Sequence, residues 1–188
     1  MIYHNLGKLE TSILKTLLKK PGLFIQKIAE QTRSDYKSVH TAVKRLEDKG
    51  YVEKAGTKLT LKGRLEHTWR LSQKGVAYLI ATGQASLNDA AQNYFDKEIL
   101  QAAFELAPLV GEQAFEKIVR KGFGLYLLAL NDKQKILPKE ALKYLVAAFA
   151  GWLFTYGQVE LEPTVKANNR FTEIYKRLLQ LKQKYLPP

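Results

Sequence analysis

Midway through the first half of the chain, the apolar pattern changes its period at a glycine. Before the change, Val39, Ala42, Val43 and Leu46 recur at helical spacing and share one side of a helix that advances roughly 100° per residue. Lys37, Thr41, Lys44 and Asp48 point the other way, with Ser38, His40 and Arg45 beside them. Gly50 suits the C′ position, where a left-handed backbone meets no Cβ clash. After it the apolar residues alternate, so Tyr51/Val52 and Trp69/Leu71 are predicted on paired strands, with Lys62-Gly63 near the hairpin tip. A helix that packs on one side, stops short and feeds a hairpin constrains the rest of the fold.

The flanking segments supply the remaining parts. Leu9, Ile13, Leu14, Leu17 and Leu18 predict a first helix, ended by Pro21-Gly22. Phe24, Ile25, Ile28 and Ala29 predict a shorter second helix, and either Ser34 or Asp35 can cap the third. Ser72 is a candidate N-cap for a fourth helix, which Gly83 ends. Three helices followed by a β-hairpin make a winged helix-turn-helix. "VHTAVKRLEDKGYVEK" resembles the recognition helix and first wing strand of winged-helix transcription regulators of the multiple-antibiotic-resistance and phenolic-acid-repressor kinds. "WRLSQKGVAYL" resembles their second wing strand and the start of the helix after it. The resemblance covers residues 7–83 and implies a DNA-binding domain; the same outline recurs in many regulator families.

Charge points the same way. The net charge is +12, and residues 1–83 hold 16 Lys and Arg against 7 Asp and Glu, whereas residues 84–188 hold 14 against 11. A basic surplus gathers polyanions, nucleic acid above all and acidic lipid second. A merely soluble lysine-rich surface is the plainer explanation, and the skew toward one segment argues against it. The chain has no cysteine, which excludes disulfides and thiolate chemistry and fits an intracellular protein. Its first ten residues lack a signal-peptide layout. The longest uncharged run, Tyr144 to Val159, is 16 residues long and includes Gly151, Thr155, Gly157 and Gln158, too short and polar for a membrane span.

The candidate DNA-binding residues follow from the chemistry of a duplex. A major groove about 12 Å wide admits a helix, and Lys, Arg, Ser and Thr can meet base edges there. Lys37, Thr41 and Lys44 stand at one-turn spacing, with Ser34, Ser38, His40 and Arg45 around them. Tyr36 has two readings, stacking on a sugar–phosphate edge or packing beside Val39. On the hairpin, Lys58, Lys62 and Arg64 are placed to hold phosphates or reach a minor groove; lysines there also protect a sheet edge from aggregation. Trp69 reads as a core residue at the junction of wing and helix. Glu47 and Asp48 would repel phosphate and mark where DNA contact stops.

Catalysis finds little support. The sequence has no phosphate-cradling glycine loop, HExxH or GxSxG. His40 and His67 lack spaced partners for a metal, and neither cofactor nor metal is expected. Beyond a polar boundary at 84–92, helices are predicted over about 88–106, 112–130, 139–156 and 168–185, with Pro108, Pro138 and Pro163 between them. The expected architecture is mainly α: a winged-helix domain at 1–83 and an all-α domain at 84–188. "ALKYLVAAFAGWLFTYG" is apolar on most sides and belongs at a helical centre. That domain is a self-contained core, a homodimer interface, or a small-molecule effector pocket lined by Phe123, Trp152 and Tyr156.

These readings predict a cytoplasmic, nucleoid-associated, homodimeric regulator that binds double-stranded DNA and is not an enzyme. Two alternatives stand: a replication or partition protein of an extrachromosomal element, and a winged helix whose basic face meets an acidic protein.

Overall fold

The computed structural model describes residues 6–60, 63–94, 104–105, 107–108, 110–132, 140–152 and 165–185. The chain divides into two compact units, Met1–Leu79 with Asn88–Tyr94, and Ile80–Leu87 with Phe95–Pro188. The first unit is built on three short helices, α1 (Lys8–Lys19), α2 (Ile25–Thr32) and α3 (Tyr36–Asp48). Each turns its apolar stripe inward: Ile13, Leu14, Leu17 and Leu18 from α1, Ile28 and Ala29 from α2, and Val39, Ala42, Val43 and Leu46 from α3.

Local chemistry fixes where these helices begin and end. The Gly7 amide donates to Glu10 Oε2 at 2.9 Å, the reciprocal half of a capping box. After α2, Arg33 takes a left-handed backbone (φ 51°), which costs a non-glycine residue about 1–2 kcal/mol. The tight turn that results lets the Ser34 amide donate back to Ala29 O at 3.0 Å. Of the two predicted caps for α3, Asp35 serves: its Oδ1 accepts from the Ser38 amide at 2.9 Å. At the far end, the Gly50 amide donates to Glu47 O and the Tyr51 amide to Leu46 O, both at 2.8 Å. Those two bonds, with Gly50 at φ 74°, form a Schellman motif.

Strands β1 (Val52–Leu59) and β2 (Leu65–Leu71) then pair antiparallel, from Val52↔Leu71 at the base to Leu59↔Leu65 at the tip, with a bulge between Lys54 and Gly56. The tip closes through Thr60, whose amide donates to Arg64 O at 2.8 Å and whose carbonyl accepts from Gly63 N at 2.9 Å. Leu23 adds an isolated bridge to Trp69. Its carbonyl accepts from the Trp69 amide at 2.9 Å, so the Pro21-Gly22 turn is tied to the wing. Trp69 is buried, as the sequence predicts.

Helix α4 (Gln73–Ala81) starts against the end of α3. Ser72 caps it by accepting from the Gly75 amide at 3.2 Å, and the Ser72 hydroxyl donates to Gly50 O at 2.5 Å. Gly75 permits the approach, since a Cβ there would fall 2.2 Å from Tyr51 O. Lys74 Nζ completes the junction, donating to Lys49 O at 2.8 Å above the Tyr51 ring. Burial pushes the Lys74 amine below its ordinary pKa. Helix α5 spans Leu87–Tyr94. At its end the Tyr94 hydroxyl accepts from Leu71 N at 3.2 Å and donates to Leu17 O at 3.0 Å, joining β2 to α1.

In the second unit, α6 (Glu112–Asp132) packs on α7 (Ala141–Trp152), and α8 (Val165–Tyr185) also contacts α7. Phe115, Phe123, Tyr126 and Leu127 from α6, and Leu142, Leu145 and Phe149 from α7, are buried, with Ile174, Leu178 and Leu181 from α8. Burial raises the Tyr126 phenol far above its ordinary pKa, with Glu140 and Tyr144 adding to the effect. Arg177 pairs with Glu105. The expected architecture holds: a winged helix-turn-helix followed by an all-helical region.

Candidate nucleic-acid interface

The outward side of α3 is open. Lys37, Ser38, Thr41, Lys44 and Arg45 are exposed, and no acidic residue interrupts the sequence from Tyr36 to Leu46. Lys37, Thr41 and Lys44 follow at i, i+4 and i+7, so an apolar seam holds one flank of the rod while cations and a hydroxyl stand on the other. Tyr36 is 51% exposed. Its ring lies over half-buried His40, centroids 6.0 Å apart and planes within 24°.

Two of the predicted residues are engaged by the turn that aims α3. The half-buried Ser34 hydroxyl donates to Thr32 O at 3.2 Å. Ser38 serves the cap: hydrogen bonds from its hydroxyl, then from its amide, hold the Asp35 carboxyl below its ordinary pKa.

The wing sorts its cations into paired and open ones. Lys54 Nζ lies 3.5 Å from Glu47 Oε1, and Arg70 Nη2 lies 2.6 Å from Glu53 Oε1. Lys58 and Arg64 are exposed. Lys58 stands opposite Glu66 in the ladder, and its Nζ reaches back to within 3.9 Å of where a Cβ on Gly22 would be. Lys62 lies outside the described residues, as does Tyr156 from the effector-pocket reading. Nothing is described of the Trp152 side chain; Phe123 is fully buried, with Tyr126 edge-on at 6.3 Å.

Sequence reasoning missed one wall of this surface. The start of α1, from Gly7 to Glu10, faces Lys37, Thr41 and Arg45 across a groove of about 510 Å³. Lys8 thereby lines the same groove as the outward residues of α3. Nothing in the local pattern links residue 8 to residues 37–45; only the packing of α1 on α3 does so. Glu10 is the acid in the groove, and it is occupied by the Gly7 amide and by Lys49 at 3.9 Å. The arrangement suits a polyanion with readable edges: exposed cations attract phosphate at long range, and Lys and Thr side chains can bond base edges. Among the described residues, no group of three or more His, Asp or Glu could hold a metal, and no helix is long and apolar enough to cross a membrane.

Residues 2–62 match the family model described as sugar-specific transcriptional regulator TrmB. The matched stretch takes in α1, α2, α3 and the first wing strand. It supports a winged helix-turn-helix regulator, and not the multiple-antibiotic-resistance or phenolic-acid-repressor kinds that the recognition-helix residues resemble. No curated protein matches the chain.

Proposed function

We propose that this chain is a sequence-specific, double-stranded DNA-binding transcription regulator, not an enzyme, acting as a homodimer in the cytoplasm and on the nucleoid. The observation that carries the reading is the exposed face of α3, free of acid from Tyr36 to Leu46 and ending at Glu47 and Asp48, within the stretch that matches a regulator's model. Lys37, Thr41, Lys44 and Arg45 read base edges in the major groove, while Lys58, Lys62 and Arg64 hold the backbone or enter the minor groove. Lys8 takes a phosphate beside α3. As a homodimer the chain would meet two half-sites, which lie about 34–36 Å apart when separated by one turn of duplex. The "sugar-specific" description of the matched family makes a sugar the first effector class to screen.

Selection from a random duplex library with the full-length protein, read by sequencing, should return a two-half-site motif. On that motif, Lys44→Ala should lose about 1–3 kcal/mol of specific binding, the range of one base-edge contact. Arg64→Ala should weaken specific and random duplexes alike and reduce the logarithmic salt slope by about 0.9. If both variants titrate like wild type in fluorescence anisotropy, this face is not the reader. Clustered repeats in place of promoter sites would transfer the same face to a replication or partition role. No duplex binding at low salt would leave the acidic-protein reading.

A further inference from the structure

At the wing tip, Leu59 is 68% exposed and Leu65 71%. They are direct partners in the ladder, which puts their Cβ atoms about 5 Å apart on one side of the ribbon. The register places Val52, Trp69 and Leu71 on that same side at the base, where they are 2%, 5% and 2% exposed. Along that side the apolar base gives way to Lys54, Thr57 and His67, all exposed, and then to the two leucines, most of whose surface is open. A single exposed leucine is ordinary. A facing pair at a hairpin tip steadies the ribbon only slightly and leaves an exposed apolar patch that is an aggregation hazard.

The surrounding charge selects what covers the pair. Lys54, Lys58, Lys62 and Arg64 fall between Lys54 and Leu65 with no acid among them; Glu66, across from Lys58, is the nearest acid in the ladder. Lys58 and Arg64 are exposed. A second wing would bring these cations against their own copies. The minor groove of a duplex has the complementary layout, phosphates along its rims and sugar and base edges on its floor.

Resting on the function proposed above, we infer that Leu59 and Leu65 form an apolar wedge that enters the minor groove and opens a base step, with Arg64 and Lys58 on the flanking phosphates. The groove of straight B-DNA is about 6 Å wide, narrower than a hairpin with its side chains, so entry widens it and bends the duplex. Bending is cheapest at pyrimidine–purine steps, which gives the wing a sequence preference without a base hydrogen bond.

The test uses the full-length protein and a duplex that the wild type selects from a random library, with donor and acceptor dyes at its ends. Wild type should raise energy transfer on binding. Leu59→Ser/Leu65→Ser should abolish that rise and weaken binding about tenfold. Its salt slope should stay unchanged, because no cation is removed. Leu59→Met/Leu65→Met keeps an apolar tip and should keep the bend, which separates loss of the wedge from damage to the hairpin. A wild-type complex that leaves the duplex straight overturns the wedge, as does a serine variant that bends and binds like wild type. Concentration-dependent self-association in sedimentation that the serine variant loses would make a second copy the occupant, and also overturns it. In each of these the parent reading survives on wild-type binding; absence of wild-type binding removes both.

Discussion

Among the described contacts, hydrogen bonds at element junctions stand out in the first unit and ring contacts in the second. The first also has the Tyr51–Tyr78 ring pair, and the second the Arg177–Glu105 ion pair. In the first, hydrogen bonds lock the places where elements meet: Ser72 to Gly50, Lys74 to Lys49, and Tyr94 to both Leu17 and Leu71. In the second, rings meet between and along α6 and α7: Phe115 with Phe149 at 6.2 Å, Tyr126 with Tyr144 at 5.6 Å, and Phe123 edge-on to Tyr126. Apolar burial is strong but non-directional, whereas hydrogen bonds lose strength quickly as their angles open. A unit that must hold a helix at a fixed angle to a wing gains from directional junctions.

Substitutions in each unit test that contrast. The largest effect is expected from Phe149→Ala, which removes a fully buried ring from α7 and should cost about 3–5 kcal/mol. Hydrogen exchange should show that loss in α6 and α7 while amides of α1–α3 keep their protection. Tyr94→Phe comes next. It leaves the Leu71 amide without its acceptor and the Leu17 carbonyl without its donor, at about 2 kcal/mol. That loss should appear in urea denaturation of the first unit and in exchange at the base of the wing. If either variant lowers protection equally in both units, they share one cooperative fold and the contrast fails.

The smallest effect concerns pH. Asp35 is held below its ordinary value of 3.8 by Ser38. A carboxyl with a depressed folded pKa stabilises fully above the unfolded value and loses that contribution as pH falls through the folded one. Protection of the first turn of α3 should therefore decline below about pH 3.8 in wild type and change less in Asp35→Asn, whose amide oxygen still caps without titrating. Equal pH dependence in both proteins would show that the cap's charge contributes nothing.

Much of the first unit was legible because its signals are local. The seam of α3, the glycine stop and the serine cap of α4 each depend on residues within a turn or two of one another, and the structure has all three. The exposure of Lys37, Thr41 and Lys44 follows from the same periodicity. Tyr36 shows where the local signal ends, since its angle beside the seam was compatible with packing or with exposure. The structure turns it out over His40. In the second unit the helices predicted at 112–130, 139–156 and 168–185 correspond to α6, α7 and α8 within a few residues where they are described.

By itself, the sequence determined the order of helices and strands, the side of α3 that packs, and the gathering of positive charge in the first 83 residues. These are properties of residues a turn or a strand apart, and hydrophobic periodicity records them directly. Only the tertiary structure decided that Lys8 lines a groove with the outward side of α3, that Leu23 bridges to Trp69, that Tyr94 returns to clasp α1 and β2, and that two leucines stand largely exposed at the wing tip. Each depends on which distant segments come together and which stay apart. That is settled by packing and by pairing buried polar groups across the fold, not by the pattern of any one segment.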